Sequence, residues 1–186
     1  ILLVITILMS SVFLVMTIYT LIRGRKYDEE IDENYKPFVT IQIPTYNELA
    51  AIRCAKACLN FDYPKDKFEI LIGDDSNKVE VSEKLEEFAL LHSSVKVVKR
   101  ENNKGFKPGN LNNMLKNSNG EILVLFDSDF IPKSDFLVRI IQPFSKNENI
   151  AAVQAKWSFI NQNQNMTSIL GSTILNVYHY ITLPFI

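Results

Sequence analysis

Two aspartates separated by one residue follow an apolar run in the second half of the chain. The run is Ile122–Phe126, and the aspartates are Asp127 and Asp129. In an extended backbone, residues two apart point to the same side, so both carboxylates can converge on one object. Two ionised carboxylates held together repel unless a cation lies between them, and hard oxygen ligands suit Mg²⁺ or Mn²⁺. The pattern therefore predicts a metal-diphosphate site at the carboxyl end of a central strand.

The same aspartates also fit a plain turn after the strand, in which the first caps the turn and the second is solvated. Two further strand predictions bear on this choice. A strand at Phe38–Ile43 leads to Pro44-Thr45-Tyr46-Asn47-Glu48, and a strand at Phe68–Ile72 leads to Gly73-Asp74-Asp75. Because ligands bind outside the carboxyl ends of strands in parallel sheets, three polar strand ends at one edge favour a binding site.

Strand and helix patterns alternate from Phe38 onward, which predicts an α/β layered domain with a largely parallel sheet. The apolar run before the paired aspartates should be a strand buried on both faces. Further strands are expected at Val95–Val98 and Ala151–Gln154, and a helix at Ser134–Pro143. Asn47 is placed to cap the first helix of this domain.

A phosphate-binding lysine is also predicted. Lys107 lies between two glycines in a polar loop that Pro108 closes at a helix start, although solvated loop lysines occur in the same context. Asp74 or Asp75 could accept hydrogen bonds from a nucleobase on which Tyr46 stacks. The sequence contains no Gly-x-Gly-x-x-Gly or P-loop pattern, so carboxylates would have to read a nucleotide diphosphate.

Length, charge and cysteine content exclude several classes of protein. The 186 residues suffice for one domain with its own core. The net charge of −1 offers no excess of positive charge with which to bind a nucleic acid. Cys54 and Cys58 lie four residues apart, a poor disulfide geometry, so we expect reduced and packed thiols. His92 and His179 stand in unrelated contexts and give no support for a Ser-His-Asp arrangement.

The N-terminal stretch has the composition of a transmembrane helix. Residues 1–22 carry no charged side chain and are long enough to cross a bilayer, whereas a signal peptide would have a shorter apolar region. Arg23, Arg25 and Lys26 follow, and the positive-inside tendency then places the downstream chain in the cytoplasm. Residues 23–37 are therefore interpreted as a cytoplasmic linker.

Residues 38–186 are interpreted as one domain, truncated at its C-terminal side. The chain begins at Ile1 and ends at Ile186 within an apolar stretch, so we expect a fragment of a longer protein. The stretch Thr167–Ile186 is apolar but interrupted by polar residues and a proline. This pattern favours a helix on the acceptor side or at the membrane surface over a second span.

Four motifs in order resemble a known family, the inverting family 2 glycosyltransferases. The resemblance is strongest to the processive, membrane-bound branch of cellulose synthase-like, glucomannan and xyloglucan-backbone synthases, and it covers Phe38 to about Ile186. The segment from Val153 to Asn161 is similar to part of those enzymes. The motifs are Ile43-Pro-Thr-Tyr-Asn-Glu48, Gly73-Asp-Asp-Ser76, Gly105-Phe-Lys-Pro-Gly-Asn-Leu-Asn112 and Asp127-Ser-Asp129.

The resemblance implies a GT-A fold, a nucleotide-diphospho-sugar donor and Mg²⁺ or Mn²⁺. A UDP-sugar is preferred and a GDP-sugar is possible, with a polysaccharide (a β-glycan) or a lipid as acceptor. Asp127 and Asp129 would hold the metal. Trp157 could line an acceptor path or belong to the core. The nucleotide-binding residues implied are Thr45, Tyr46, Glu48, Asp74 or Asp75, Lys107 and Asp127.

The chain departs from the family pattern in two ways. The loop before Pro108 reads Gly-Phe-Lys where many relatives have His-Ala-Lys, a change that retains the lysine. The family's catalytic base, in a Thr-Glu-Asp-type motif, and its Gln-x-x-Arg-Trp acceptor motif would lie beyond Ile186. We therefore expect this fragment to bind donor but to turn it over poorly.

Two other functions are compatible with parts of the sequence. Haloacid dehalogenase-like phosphatases also place Asp-x-Asp after an apolar strand, with Asp127 then the nucleophile and Asp129 the general acid. Those enzymes usually carry Thr or Val where this chain has Ile131, and they place the motif on their first strand. The other alternative is a membrane-tethered nucleotide-sugar binding protein without catalysis.

Overall fold

The computed structural model describes residues 2–23, 30–156 and 158–179. Part of the predicted linker, Trp157 and residues 180–186 lie outside these described residues. The chain divides into two compact units, Ile1–Glu30 with Gln154–Ile186, and Ile31–Val153. The elements in chain order are α1 (Leu2–Arg23), β1 (Val39–Thr45), α2 (Ala50–Leu59), β2 (Phe68–Asp74), α3 (Val79–Leu90), β3 (Val95–Lys99), α4 (Phe106–Leu115), β4 (Ile122–Leu125), α5 (Phe136–Ile140), α6 (Gln142–Lys146) and α7 (Met166–Val177).

Helix α1 is long and apolar enough to cross a membrane, and its span Leu2–Thr20 is not buried inside the protein. Among the described residues it is the one helix with this property, which it shares by composition with signal sequences and core helices. Helix α7 is apolar but shorter. Its N-terminus is fixed by a capping box, in which Asn165 Oδ1 accepts from Ser168 N and Ser168 Oγ accepts from Asn165 N.

The larger unit is built on a four-stranded parallel sheet with the strand order β3-β2-β1-β4. All seven residues of β1 and all seven of β2 are buried, as expected for central strands of an α/β domain. Thr45 pairs with Asp74, and Asp74 pairs with Lys99, so β1, β2 and β3 end at one level. The alternating elements confirm the predicted α/β class.

The main core lies between one face of the sheet and helices α2, α3 and α5. Cys54 and Cys58 are fully buried in it and are free thiols, as predicted. A hydrogen bond with Cys54, together with burial, raises the pKa of the Cys58 thiol well above its ordinary value. Both sulfurs therefore act as small apolar side chains that let α2 pack closely on the strands.

A buried polar cluster fixes the opposite face of the sheet, on which α4 packs. Glu69 is 5% exposed and accepts hydrogen bonds from Thr40 Oγ1 at 2.9 Å and Lys96 Nζ at 3.0 Å. It also accepts from Asn119, through the backbone N–H at 2.8 Å and the side-chain amide at 3.0 Å. Thr40 Oγ1 in turn accepts from Gly120 N at 2.8 Å. The cluster thus ties the connection between α4 and β4 to the two central strands.

Strand β4 corrects one sequence prediction. It is the edge strand of the described sheet, and it is not buried on both faces, because Leu123 is 40% exposed and Leu125 is 57% exposed. The side chains of Val124 and Phe126 are buried in the core as predicted. The apolar run therefore has one covered and one open face.

Three other local predictions were also wrong. The structure has no strand at Ala151–Gln154, which is irregular. The helix expected at Ser134–Pro143 is divided into α5 and α6, with Pro143 in the first turn of α6, where the missing N–H of proline costs least. Asn47 does not cap α2, since α2 begins at Ala50 after Leu49 and has no side-chain cap.

Replacement of Glu69 by Gln should destabilise the larger unit by about 2 kcal/mol at neutral pH, because a neutral amide cannot satisfy all the donors around it. Burial alone would raise the pKa of Glu69, but the hydrogen bonds from Asn119, Lys96 and Thr40 outweigh it and hold that pKa below its ordinary value of 4.5. The stabilisation is therefore present above about pH 4.5 and is lost as the pH falls through the folded-state pKa. Urea unfolding of both proteins between pH 7 and pH 3, followed by circular dichroism, measures this difference.

The exposed Glu83 of α3 provides the matched control, since Glu83→Gln should change the stability little at any pH. A Glu69→Gln protein whose stability deficit is as large at pH 3 as at pH 7 would contradict the assigned role of the carboxylate.

Candidate functional site

The carboxyl ends of β1, β2 and β4 open into one cavity of about 350 Å³. This is the edge of the sheet at which the sequence predicted a site. The lining residues are Pro44, Thr45, Tyr46, Glu48, Asp75, Lys107, Asn110, Asp127, Ser128 and Asp129. All the predicted nucleotide and metal residues among the described ones are in this set, with the exception of Asp74.

The two adjacent aspartates at the carboxyl end of β2, Asp74 and Asp75, have different environments. Asp74 is 4% exposed, and its carboxylate accepts hydrogen bonds from Ser76 N at 2.9 Å and from Ser82 Oγ at 2.5 Å. These bonds hold the turn between β2 and α3. Asp75 is the aspartate that lines the main cavity. Both aspartates line the second cavity, so which of them contacts a nucleotide stays a prediction.

Arg100 is a site residue that the sequence reasoning missed. It follows β3 and donates to Asp75 through two parallel hydrogen bonds, Nε to Oδ1 at 2.6 Å and Nη2 to Oδ2 at 2.5 Å. The two side chains are only 13% and 7% exposed, and the hydrogen bond to Asp75 raises the pKa of Arg100. Arg100 also donates to the backbone oxygens of Lys104 and Phe106, which orders the loop before α4. Its position directly after a predicted strand was the available signal.

A second cavity of about 300 Å³ adjoins the first. Tyr46 and Asp75 line both cavities, and Tyr46 is 52% exposed. Asp74, Lys99 and Arg100 line the second cavity but not the first. The two spaces therefore share a wall made of an aromatic ring and an ion-paired carboxylate.

Lys107 and Asp127 form an ion pair across the main cavity. Their side chains are 55% and 51% exposed, and Asp129 is also exposed, so all three charged groups face open space. Lys107 lies in the first turn of α4, after Gly105 with a φ of 76° and Phe106 with a φ of 47°. A positive φ at a residue as bulky as Phe106 is strained, and it sets the direction in which the helix begins.

The chemistry of this end fits a divalent cation bound together with a phosphate ligand. Asp127 already attracts a cationic group, and Asp129 offers further hard oxygen ligands two residues away. Within the described residues no set of three or more His, Cys, Asp or Glu side chains could enclose a metal ion. A cation here would therefore complete its coordination with water and ligand oxygens, which is the usual manner of Mg²⁺.

Glu48 and Ser128 link the turn between β1 and α2 to the paired aspartates Asp127 and Asp129. Ser128 lies between Asp127 and Asp129, is 7% exposed and donates its hydroxyl hydrogen bond to Glu48 Oε1. Thr45 Oγ1 donates to Glu48 O at 3.2 Å, so this turn is fixed from both sides. The sequence reasoning missed Ser128 because, in an extended backbone, its side chain is expected to point away from the side shared by Asp127 and Asp129.

Asn110 positions the helix that carries Lys107. It is 2% exposed, and its Nδ2 donates to Gly73 O at 2.8 Å, directly before the aspartates of β2. A Cβ atom at Gly73 would lie 2.2 Å from Asn110 Oδ1, so only glycine permits this approach. The signal available in the sequence was the glycine itself, inside an otherwise bulky strand.

The sequence model of glycosyl transferase family 2 matches residues 40–185, from the second residue of β1 to beyond the end of α7. The chain belongs to glycosyl transferase family 2. The family predicted from the four motifs is thereby confirmed, and the match does not favour the phosphatase alternative.

Two plant relatives illustrate where in the family the chain lies. It is 33% identical over 163 residues to a probable glucomannan 4-beta-mannosyltransferase 7 of Oryza sativa subsp. japonica, and 34% identical over 161 residues to glucomannan 4-beta-mannosyltransferase 2 of Arabidopsis thaliana. Each alignment covers 82% of this chain, but only 27% and 30% of the respective relative. The chain thus spans less than a third of the length of these proteins.

Solved structures confirm the GT-A fold. The mannosyltransferase PcManGT from Pyrobaculum calidifontis, in complex with GDP-Man and Mn²⁺, superposes with a TM-score of 0.64 at 26% identity, covering 78% of this chain and 44% of that one. S. aureus TarS 1-349 has the same fold, with a TM-score of 0.53 at 22% identity, covering 64% of this chain and 39% of that one.

The Asp75–Arg100 pair should be energetically coupled. Asp75→Asn and Arg100→Gln should each lower the free energy of unfolding by about 2 kcal/mol, because each leaves one charge without its partner in a poorly solvated place. The double variant should lose clearly less than the sum of the two single losses. Urea unfolding of the four proteins measures the coupling, and strictly additive losses would contradict it.

Proposed function

We propose that this chain carries the donor-binding part of a membrane-bound glycosyltransferase that takes a mannosyl group from GDP-mannose. The observation that carries the proposal is the convergence of an aromatic–carboxylate wall and a lysine–carboxylate end in one cavity at the edge of the sheet. The names of the glucomannan mannosyltransferase relatives and the GDP-Man complex of PcManGT support it. The sequence alone had placed a UDP-sugar first.

The nucleoside would bind at the wall shared by the two cavities. Tyr46 offers a half-exposed ring for stacking, and Asp75 offers carboxylate oxygens to ring N–H groups. Guanine presents two adjacent N–H donors, a pair that matches one carboxylate, whereas uracil presents one. Arg100 holds Asp75 in place and could donate to the oxygen of the same base. Thr45 and Glu48 would line the path toward the diphosphate.

The diphosphate would bind at the other end of the main cavity. Asp127 and Asp129 would hold a divalent metal, Mg²⁺ or Mn²⁺, which when bound supplies Lewis-acid stabilisation of the nucleoside diphosphate leaving group. Lys107 would then leave its ion pair with Asp127 and bind a phosphate oxygen. Its position in the first turn of α4 favours this, because the N-terminal end of a helix attracts anions. The negative charge that develops on the leaving group would thus meet a cationic end of the cavity.

The acceptor side is proposed from the family. An inverting transfer requires a general base opposite the leaving group, and the expected Thr-Glu-Asp-type motif does not occur in the 186 residues. The whole protein would elongate a β-linked polysaccharide, and the names of the glucomannan mannosyltransferase relatives support this. The composition of α1 and the basic residues that follow it support attachment to a membrane with the larger unit on the cytoplasmic side.

Isothermal titration of GDP and UDP into the whole chain, held in detergent with Mn²⁺, tests the proposal. GDP should bind, EDTA should abolish most of the affinity, and Asp127→Asn should weaken binding by roughly tenfold or more. Asp66→Asn is the matched control, since Asp66 is an exposed aspartate before β2, at the opposite edge of the sheet. A folded chain that binds neither nucleotide, or binds GDP equally well in EDTA, would exclude the proposed function.

Lys107 should compete with the metal for Asp127 until the diphosphate arrives. Lys107→Met should therefore bind Mn²⁺ several-fold more tightly than the wild type when no nucleotide is present, and bind GDP more weakly when Mn²⁺ is saturating. Electron paramagnetic resonance of free Mn²⁺ measures the first effect. Lys104→Met removes an exposed lysine of the loop just before α4 and should change neither affinity. Weaker Mn²⁺ binding in Lys107→Met would refute the competition.

A further inference from the structure

Asn47 has an unusual backbone conformation next to the site. Its φ is 55°, in the left-handed region that most residues with a side chain avoid and that asparagine tolerates comparatively well. The residue lies between Tyr46 and Glu48, which both line the main cavity. Because the residue does not cap α2, its conformation requires another explanation.

The polar groups of Asn47 are directed at the turn between β2 and α3. Its backbone N–H donates to Ser76 Oγ at 2.9 Å. Its Oδ1 accepts from Asn77 N at 3.0 Å and from Lys78 N at 3.1 Å, and its Nδ2 donates to Asn77 Oδ1 at 2.7 Å. Four hydrogen bonds thus connect residues that lie about thirty positions apart in the sequence.

These bonds join the two turns that form the wall shared by the cavities. Tyr46 is carried by the first turn, and Asp75 lies at the start of the second. The backbone pairing of β1 with β2 ends with a hydrogen bond in which Asp75 N donates to Thr45 O at 3.1 Å. Beyond that bond, the side chain of Asn47 continues the connection. The half-exposed ring of Tyr46 has its position set by this turn.

We propose that Asn47 is a positioning residue that sets the spacing between Tyr46 and Asp75, and hence the affinity and selectivity for the nucleobase. The inference rests on the proposed function, because it assigns the nucleobase to this wall. Asn47 itself need not touch the ligand. Its left-handed conformation turns the chain so that the amide faces the second turn while Tyr46 faces the cavity.

The proposal predicts a selective effect on one half of the donor. Lys107 is carried by α4, and Asp127 and Asp129 follow β4, and none of the four Asn47 bonds reaches these elements. Loss of the side chain should therefore weaken recognition of the nucleoside and leave the diphosphate end intact. A residue that merely stabilised the fold would weaken both ends alike.

Two variants separate the backbone from the side chain. Asn47→Gly keeps the left-handed conformation and removes the amide, whereas Asn47→Asp keeps the acceptor for Asn77 N and Lys78 N and replaces the donor by a charged carboxylate oxygen. Each is titrated in the whole chain in detergent with GDP and, separately, with inorganic pyrophosphate, both with Mn²⁺. Asn60→Gly, at the exposed C-terminal end of α2, is the matched control.

Asn47→Gly should lose roughly tenfold in affinity for GDP and less than about twofold for pyrophosphate, and Asn47→Asp should recover part of the loss. The preference for GDP over UDP should be smallest in Asn47→Gly, intermediate in Asn47→Asp and largest in the wild type. Unchanged GDP affinity in Asn47→Gly, or equal losses for GDP and pyrophosphate, would overturn this inference alone. If the wild type binds no nucleotide, the proposed function fails and this inference with it. Should Asn47→Gly not fold, the Asn47→Asp comparison of GDP with pyrophosphate decides by the same criterion.

Discussion

The parallel register of β1 with its neighbours is the constraint on which the site depends. Thr45 pairs with Asp74, and Asp74 pairs with Lys99, so three strands end at one level. On its other side β1 pairs with β4, whose last residue, Leu125, precedes Asp127 by two positions. A slip of one residue would turn alternate side chains to the opposite face and would separate these ends. The full burial of β1 and β2 excludes such a slip, and the site follows from that pairing.

Two cationic side chains at this edge each pair with an aspartate, and the two pairs differ in solvation. Arg100 and Asp75 are only 13% and 7% exposed, whereas Lys107 and Asp127 are 55% and 51% exposed. An ion pair withdrawn from water is costly to break, while an exposed pair contributes little and exchanges partners readily. The first pair therefore forms part of the fold, and the second is free to rearrange. This asymmetry would suit the proposed donor site, in which the nucleoside end is preformed and the diphosphate end receives new charge.

Sequence patterns were sufficient to place cavity-lining residues at the end of a strongly apolar strand, as with Thr45, Asp75 and Asp127. The patterns failed where burial or hydrogen-bond partners depend on residues distant in the sequence. An apolar run cannot reveal whether a strand is central or at an edge, which is why the open face at Leu125 was not foreseen. The capping prediction for Asn47 named a residue of the right chemistry, but its hydrogen-bond partners lie on another turn, about thirty residues away.

The position of α4 shows how a contact remote from the ligand can determine the charge within the site. Gly73 has no side chain, and this allows Asn110 to donate to its carbonyl oxygen at 2.8 Å and to hold α4 against β2. The strained start of the helix at Phe106 then directs Lys107 toward Asp127. Because a lysine side chain is flexible and its helix is not, the reach of the amine is limited chiefly by where the helix lies. Close packing at a glycine in β2 thus sets the distance over which the cavity can neutralise a bound anion.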